Sequence, residues 1–289
     1  MKSFFITTNK PYTYDIFLSD LSKLLIKYPQ LEKKTIGYSV LGKPIYAHKL
    51  GNGGKKIIIT AAHHAKEWIT SALVMCIINT LLEAENSNNT FYFVPMVNPD
   101  GVNLCIKGLS QDLPVYVRNR LIAINGSEDF VGKWQANIRG IDLNHNYDAS
   151  FSKGKALQLK EGIFAPAPTK YSGEYPESEP ETKALVSFTK KIDPQMVIAY
   201  HSQGEEIFYK YQGKCAPDAE KIAQNLATAS GYQLILADGL TDCTGYKDWV
   251  IEKFNIPAFT VEVGKGENPL PISQLEKIYN DNMKLINTL

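Results

Sequence analysis

The chain has 289 residues, of which 44% are hydrophobic and 21% are charged, enough to bury the core of one large α/β domain or two small ones. Its net charge of +1 and the lack of a basic stripe in the sequence argue against a general role on nucleic acids or membrane surfaces. No stretch predicts a signal peptide or a membrane span, so the expected location is cytoplasmic unless a leader was removed.

The N-terminal third predicts a β-α-β unit. Its periodicity and turn residues indicate both the strands and the connecting helices. The predicted elements are a helix over 14–28, a hairpin over 34–50, a buried strand at 57–59, a helix over 67–82, a buried strand over 91–97 and a turn at 98–101.

The junction between the first buried strand and its helix carries three side chains that can bind a metal. His63, His64 and Glu67 lie where the carboxyl end of a parallel strand opens into a binding crevice. Glu67 is three residues from His64 and four from His63, so either imidazole could converge with it on one cation. The alternative is a solvated helix cap in which Glu67 interacts with the helix dipole. Both interpretations remain open on this stretch alone.

Residues 104–175 are rich in Gly, Asn and Pro and predict a long irregular region. Such a region inside a compact domain is functional or disordered, and its aromatic content argues against disorder. We therefore expect it to form a wall of the active site. A helix is then expected to begin with Ser178 as its cap, Pro180 in its first turn and Glu181 completing a capping box.

Two polar residues in the second half of the chain occur in apolar strands. His201 follows the strand expected over 195–200; a lone histidine there is commonly structural, but its position matches that of His64 and favours a ligand. Glu262 lies in the strand expected over 257–264, where an unpaired carboxylate would be costly, so it needs a metal, a partner or a catalytic role. The other expected elements are helices over 216–230, 246–254 and 272–289 and a strand over 233–237.

These features, in this order, resemble the zinc metallocarboxypeptidase family. The resemblance covers nearly the whole chain and rests on His64-x-x-Glu67, Gly140-Ile141-Asp142-Leu143-Asn144, His201-Ser202 and Thr260-Val261-Glu262. It implies one domain over residues 1–289, a three-layer α/β/α sandwich with a mixed, mostly parallel eight-stranded sheet. It also implies that one Zn²⁺ binds to His64, Glu67 and His201 rather than to His63. Glu262 is then the general base that activates a zinc-bound water.

Further motifs resemble the bacterial γ-D-glutamyl-L-diamino acid endopeptidases, which cleave cell-wall peptides beside diaminopimelate. These motifs are Trp134-x-Ala136-Asn137-x-Arg139-Gly140, His201-x-Gln203-Gly204-Glu205-Glu206-Ile207, Gly245-Tyr246-Lys247-Asp248-Trp249, Glu262-Val263-Gly264 and Asn268-Pro269-Leu270-Pro271. The resemblance implies hydrolysis of the γ-D-glutamyl-diaminopimelate bond in peptidoglycan stem peptides or muropeptides. One alternative is a zinc carboxypeptidase acting on ordinary peptides. Another is a non-catalytic zinc- or peptidoglycan-binding module, against which the presence of Glu262 beside three candidate ligands argues.

The chain departs from the family pattern at two places that concern substrate binding. Relatives carry a cation that stabilises the oxyanion where this chain has Gln135. Here either Arg139 stabilises the oxyanion or zinc contributes more of that stabilisation. The pair that grips a terminal carboxylate in many relatives is Asn144-His145 here, which argues against a simple carboxypeptidase specificity. In relatives the segment around Lys247 lines the pocket for the leaving residue. The expected substrate contacts are Asn144, His145, Tyr246 and Lys247.

Overall fold

The computed structural model describes residues 5–84 and 88–289. The helices are α1 (Tyr14–Lys27), α2 (Trp68–Ala84), α3 (Pro99–Lys107), α4 (Val115–Asn125), α5 (Phe151–Lys160), α6 (Pro180–Ile192), α7 (Ala219–Ser230), α8 (Tyr246–Phe254) and α9 (Leu275–Ile286). The strands are β1 (Glu32–Tyr38), β2 (Pro44–Leu50), β3 (Lys56–Thr60), β4 (Thr90–Val94), β5 (Met196–His201), β6 (Glu206–Phe208), β7 (Gln233–Ile235) and β8 (Ala258–Glu262).

The strands form one eight-stranded sheet in the order β1-β2-β4-β3-β5-β8-β6-β7. The central strands β4, β3, β5 and β8 run parallel, β1 and β2 form the antiparallel hairpin, and β6 runs antiparallel to β8. A parallel centre follows from the β-α-β order, because parallel neighbours need a crossover connection. The expected mixed, mostly parallel sheet is confirmed.

Alternate residues of β3 face two different cores. Ile57 and Ile59 belong to a cluster that includes residues of α1, α2, α7 and α9. Ile58 belongs to a second cluster with residues of α6 and α8. Because side chains alternate across a strand, a strand covered on both faces reads as a continuous apolar run. Helices therefore cover both faces of the sheet, and the three-layer sandwich is confirmed.

The helical segment Ala65–Ala84 is long and apolar enough to cross a membrane by length and composition alone. The expectation that no stretch approaches a membrane span was therefore wrong. Within the protein, 78% of the apolar window is buried, and Leu73 and Ile77 belong to the same core cluster as Ile57. A helix that is apolar all round is either a core helix or a membrane span, and this one packs on the sheet.

The region 104–175 is more ordered than its composition indicates, since it contains α4 and α5. The turn expected at 98–101 is the start of α3. The Asn98 side chain accepts a hydrogen bond from the Gly101 N–H at 3.0 Å, and Pro99 is in the first turn. Asn and Pro favour both turns and helix starts, so their presence did not separate the two. A third core cluster, which includes Leu121 and Trp134, supports this region.

Two details further along the chain also differ from expectation. The cap position of α6 is Glu179 rather than Ser178, and no side chain caps the helix. Ser178 donates to the Glu179 carboxylate, while Glu181 accepts a hydrogen bond from the Val40 N–H at 3.0 Å, so both side chains are engaged elsewhere. Strand β6 was missed because three residues are too few to show a period of two.

His48, on β2, predicts a pH-dependence of stability. Its ring is fully buried near Phe17 and Tyr46. Burial, reinforced by the Lys33 ammonium, lowers the pKa of His48 from 6.5 to about 3. The unfolded chain therefore binds more protons between these two values, and stability should fall as the pH drops through this window.

Replacing His48 by leucine should remove that pH-dependence. Protonation of His48 in the unfolded chain is expected to lower the parent's free energy of unfolding by about 2 kcal/mol between pH 7 and pH 5. The decrease is about 1.4 kcal/mol per pH unit below about pH 6.5. Urea denaturation of both proteins at the two pH values measures the difference. His48→Leu should show a smaller decrease by about that amount, and equal decreases in the two proteins would contradict the prediction.

Candidate active site

The polar residues of the expected site meet at the carboxyl ends of the central strands. β3 ends at Thr60, and the chain then reaches His64 and Glu67 in the short turn before α2. His201 ends β5 and pairs in register with Glu262, which ends β8. Because parallel strands end at one edge of a sheet, side chains far apart in sequence lie together here.

Three of these side chains place their ligand atoms close together. His64 Nδ1 lies 2.7 Å from Glu67 Oε1 and 3.3 Å from His201 Nδ1, which lies 2.9 Å from Glu67 Oε2. Ligand atoms at about 2.0–2.1 Å around a tetrahedral Zn²⁺ are about 3.3 Å apart, and two imidazoles with one carboxylate are a donor set of catalytic zinc. The three residues therefore fit one Zn²⁺ and leave a coordination position open.

The charges around these atoms favour a cation. Burial opposes ionisation of Glu67, but the imidazoles of His64 and His201 lower its pKa to about 2. Burial also opposes a charged imidazole, yet the carboxylates of Glu67 and Asp142 raise the pKa of His64 well above its usual value. The site thus combines an ionised Glu67 carboxylate with a His64 ring at which the neighbouring carboxylates stabilise positive charge.

Asp142 orients His64 from behind the ligand atoms. Its buried carboxylate lies 3.0 Å from His64 Nε2 and accepts hydrogen bonds from the Gln135 side chain at 3.0 Å and the Lys170 N–H at 2.8 Å. Burial opposes ionisation of Asp142, but His64 and then His145 hold its pKa well below the usual range. A carboxylate in this position fixes the orientation of a metal-binding imidazole. The sequence analysis found Asp142 within a motif but did not assign this role.

His63 lies outside the group of converging ligand atoms. Its ring is fully buried, and its Nε2 lies 3.0 Å from the Tyr147 hydroxyl. Burial, followed by the nearby imidazoles of His201 and His64, lowers the pKa of His63 well below its usual value. The ring therefore belongs to the packing behind the site, in agreement with the choice of His64 as the ligand.

Glu262 lies between two cavities. A partly enclosed pocket of about 130 Å³ and a more open groove of about 520 Å³ share Glu262, His64 and Phe208; we call these the leaving pocket and the groove. Burial, followed by the Glu67 carboxylate, raises the pKa of Glu262 well above its usual value against the opposing effect of His64. A raised pKa suits a carboxyl group that exchanges protons near neutral pH.

The leaving pocket contains three of the four expected substrate contacts. Asn144, His145 and Lys247 line it together with Asp248. The Asn144 side-chain oxygen accepts a hydrogen bond from the Tyr246 N–H at 3.0 Å, which leaves its amide N–H groups available to a ligand. The pocket is thus lined by hydrogen-bond donors as well as by an acidic group.

Lys247 is a buried cation at this pocket. It is 4% exposed, and its Nζ donates to the Lys210 carbonyl at 2.6 Å and to the Asp248 carboxylate. Asp248 also accepts a hydrogen bond from the Gly245 N–H at 3.1 Å. Lys247 is therefore not a solvated residue on the helix surface. A buried ion pair at a pocket wall offers both signs of charge to a ligand.

The structure does not bring two of the expected residues to the site. The Tyr246 ring is fully buried and its hydroxyl lies 2.7 Å from that of Thr189, so a substrate contact by this ring is contradicted. Arg139 is 45% exposed and lies 3.6 Å from Glu179. It is not among the described residues that line the leaving pocket or the groove, which contradicts an oxyanion role in this arrangement.

The fold and the ligand set together define a zinc peptidase. A family model described as zinc carboxypeptidase, Peptidase_M14, matches residues 17–285. The chain therefore belongs to the zinc carboxypeptidase family, and the resemblance noted in the sequence is confirmed.

Individual relatives agree with this assignment. The chain is 37% identical to γ-D-glutamyl-L-diamino acid endopeptidase 1 of Lysinibacillus sphaericus over 285 residues, which is 93% of this chain and 70% of the relative. Bovine thrombin-activatable fibrinolysis inhibitor shares the fold with a TM-score of 0.73 at 20% identity, covering 96% of each chain. The murein-tripeptide amidase MpaA of Escherichia coli O157 has a TM-score of 0.58 at 20% identity, covering 88% of this chain and 91% of its own.

Family membership and the ligand geometry give the same chemistry. The protein is a zinc metallopeptidase that uses one Zn²⁺, and His64, Glu67 and His201 form the site that could bind it. The alternative of a non-catalytic binding module is not supported, because the ligand set and Glu262 are together at one edge of the sheet.

Proposed function

We propose that the enzyme hydrolyses the bond between a γ-D-glutamyl residue and diaminopimelate in peptidoglycan-derived peptides. The observation that carries this proposal is the buried pair of Lys247 and Asp248 at the leaving pocket. The 37% identical relative is named for an activity on γ-D-glutamyl-L-diamino acid bonds, which supports the same substrate class. Peptidoglycan stem peptides and muropeptides are the proposed partners.

The charges of the leaving pocket match the far end of diaminopimelate. That end carries an ammonium and a carboxylate, which an apolar pocket would have to desolvate without partners. Lys247 can bind the carboxylate, and the Asp248 carboxylate can accept from the ammonium. The amide of Asn144 and the His145 ring supply further polar contacts. An ordinary apolar C-terminal residue would instead bury its side chain against an ion pair, which disfavours the carboxypeptidase alternative.

The reaction follows from the position of Glu262 between the two cavities. A Zn²⁺ held by His64, Glu67 and His201 would polarise the scissile carbonyl and lower the pKa of water. Glu262 removes the proton of the attacking water and transfers it to the nitrogen of the leaving diaminopimelate. The γ-D-glutamyl product keeps the new carboxylate, and diaminopimelate leaves as the amine.

The groove receives the acyl side of the bond. A γ-linked D-glutamyl residue carries a free α-carboxylate, which an ordinary α-peptide lacks at that position. Lys66 lines the groove as a cation, and it forms no ion pair with the described part of the chain. Gln135 also lines the groove, although its amide donates to Asp142. Lys66 is therefore the proposed contact for the D-glutamyl carboxylate.

Substrate choice tests the proposal. Replacing diaminopimelate by lysine removes the distal carboxylate, so kcat/KM should fall by an amount equivalent to about 2–4 kcal/mol, or roughly 30- to 1000-fold. The measurement compares L-alanyl-γ-D-glutamyl-diaminopimelate with its lysine analogue, and an acylated dipeptide with an apolar C-terminal residue serves as the ordinary substrate.

A variant of Lys247 assigns that preference to a residue. Lys247→Met should reduce the diaminopimelate preference to about tenfold or less, because the carboxylate loses its charged partner. Lys253→Met on the exposed side of the same helix is the matched control and should keep the full preference. Equal kcat/KM for the two tripeptides in the parent, or faster cleavage of the ordinary dipeptide, would refute the proposed function.

A further inference from the structure

Glu206 faces the groove from the strand beside Glu262. In the antiparallel pairing of β6 with β8, Glu206 stands directly opposite Glu262. Side chains of opposed residues lie on the same face of the sheet, with Cβ atoms about 4.5–5.5 Å apart. Both carboxylates accordingly line the groove. Glu206 does not line the leaving pocket, so it lies on the acyl side of the scissile bond.

The Glu206 carboxylate has no protein partner. Within residues 5–84 and 88–289 it forms neither an ion pair nor a side-chain hydrogen bond, and it is partly buried. The adjacent Glu205 lies just before β6 with a φ of 57°, and Lys265 at 3.1 Å and Lys277 at 2.5 Å neutralise its carboxylate. Like charges opposite each other destabilise a sheet, so Glu206 is unfavourable beside Glu262 unless something positive binds there.

The loop before β6 leaves space for this carboxylate. Gly204 has a φ of 152°, and a Cβ at this position would lie 2.9 Å from Cδ and Oε2 of Glu206. Any other residue at position 204 would therefore displace the carboxylate. The missing Cβ at Gly204 thus leaves room for the Glu206 carboxylate, whose oxygens are available to a ligand.

We propose that Glu206 binds the free α-ammonium of the substrate's N-terminal residue on the acyl side of the scissile bond. The inference rests on the proposed function, in which the acyl side is L-alanyl-γ-D-glutamyl. A stem peptide released from the glycan carries an ammonium on that alanine. In an intact muropeptide the same nitrogen is an amide and carries no charge. Glu206 thus selects released peptides over muropeptides, because an ammonium forms a charge-assisted hydrogen bond that an amide does not.

This selection defines the reaction that supplies the substrate. An amide hydrolysis that frees the alanyl nitrogen from the glycan must come before the cleavage at diaminopimelate. Charged side chains then recognise both ends of the released peptide. Lys247 and Asp248 bind the leaving residue, and Glu206 binds the amino terminus.

The test compares L-alanyl-γ-D-glutamyl-diaminopimelate with its N-acetyl derivative in the zinc-loaded parent and in two variants. The parent should prefer the free amine by about tenfold to hundredfold in kcat/KM. Glu206→Gln should lose that preference mainly through slower cleavage of the free-amine peptide, with the acetylated peptide little affected. Glu205→Gln is the matched control and should keep the preference, because the Glu205 carboxylate is already paired with Lys265 and Lys277.

A binding measurement separates recognition from catalysis. In a Glu262→Gln background, calorimetry should show the same difference in Kd between the two peptides, and adding Glu206→Gln should abolish it. Equal kcat/KM for both peptides in the parent, or a preference that persists in Glu206→Gln, overturns the inference. If neither peptide is cleaved while the ordinary dipeptide is, the proposed substrate class is wrong. In that case a tripeptide with the same apolar C-terminal residue, with and without an N-acetyl group, decides the role of Glu206.

Discussion

Glu262→Gln is expected to fold and bind zinc like the parent while kcat falls by about 10²–10⁴-fold, the usual contribution of an acid-base group. Glutamine has nearly the same size and occupies the same position at the end of β8. Its amide, however, cannot accept the proton of the attacking water. The ligand atoms of His64, Glu67 and His201 are untouched by the substitution. The measurements are kcat on L-alanyl-γ-D-glutamyl-diaminopimelate, zinc by elemental analysis and Tm by thermal denaturation.

Glu267→Gln provides the control, since Glu267 also lines the groove but lies outside the ligand set. It should retain turnover within about fivefold, because single surface charges change interaction energies by less than about 1 kcal/mol. A Glu262→Gln enzyme with a rate within about tenfold of the parent would contradict the role of general base. Loss of zinc from Glu262→Gln would show instead that Glu262 serves the metal site.

The main features of the fold were predictable because each depends on a local pattern. The apolar run at 57–59 predicts a strand covered on both faces, and Ile57 and Ile58 indeed face opposite cores. The order of strands and helices then implies a parallel centre, which places the strand ends at one edge. The positions of His201 and of the His63–His64 pair at two such ends favoured a shared metal site, and the family resemblance then selected His64.

The details that failed depend on contacts between distant segments. Tyr246 and Lys247 are consecutive on α8, and nothing in their sequence shows that the tyrosine ring packs into the core while the lysine reaches the pocket. Arg139 was one of two alternatives for stabilising the oxyanion in place of the cation missing at Gln135, but in the structure it lies beside Glu179. Asp142 contacts His64 across 78 residues of chain, a relation that no local pattern contains.

Glu206 could not be singled out from the sequence, because its position also depends on contacts between distant segments. Glu205 and Glu206 are adjacent and chemically identical, but only Glu206 belongs to β6. The pairing of β6 with β8 places Glu206 opposite Glu262, whereas Glu205, in the turn before the strand, pairs with Lys265 and Lys277. The charge of the groove therefore depends on where a three-residue strand begins.

Substitution of either histidine ligand is expected to have a large effect on zinc content. His64→Ala and His201→Ala should each lose nearly all bound zinc and, with it, peptidase activity. Each substitution removes one of three protein ligands, and a catalytic zinc with only two retains little affinity. Elemental analysis after dialysis measures the occupancy, and a competing chelator gives the relative affinity. The parent should contain one Zn²⁺ per chain.

His63→Ala and Asp142→Asn separate the ligands from the residues that surround them. His63→Ala should retain zinc, although the loss of the His63 ring beside Tyr147 will lower the stability of the variant. Asp142→Asn should weaken zinc binding by about 10- to 100-fold without abolishing it, because the carboxylate orients His64 but does not touch the metal. Full occupancy in both His64→Ala and His201→Ala would disprove the ligand assignment. Complete zinc loss in His63→Ala would instead make His63 a ligand, which its contact with the Tyr147 hydroxyl argues against.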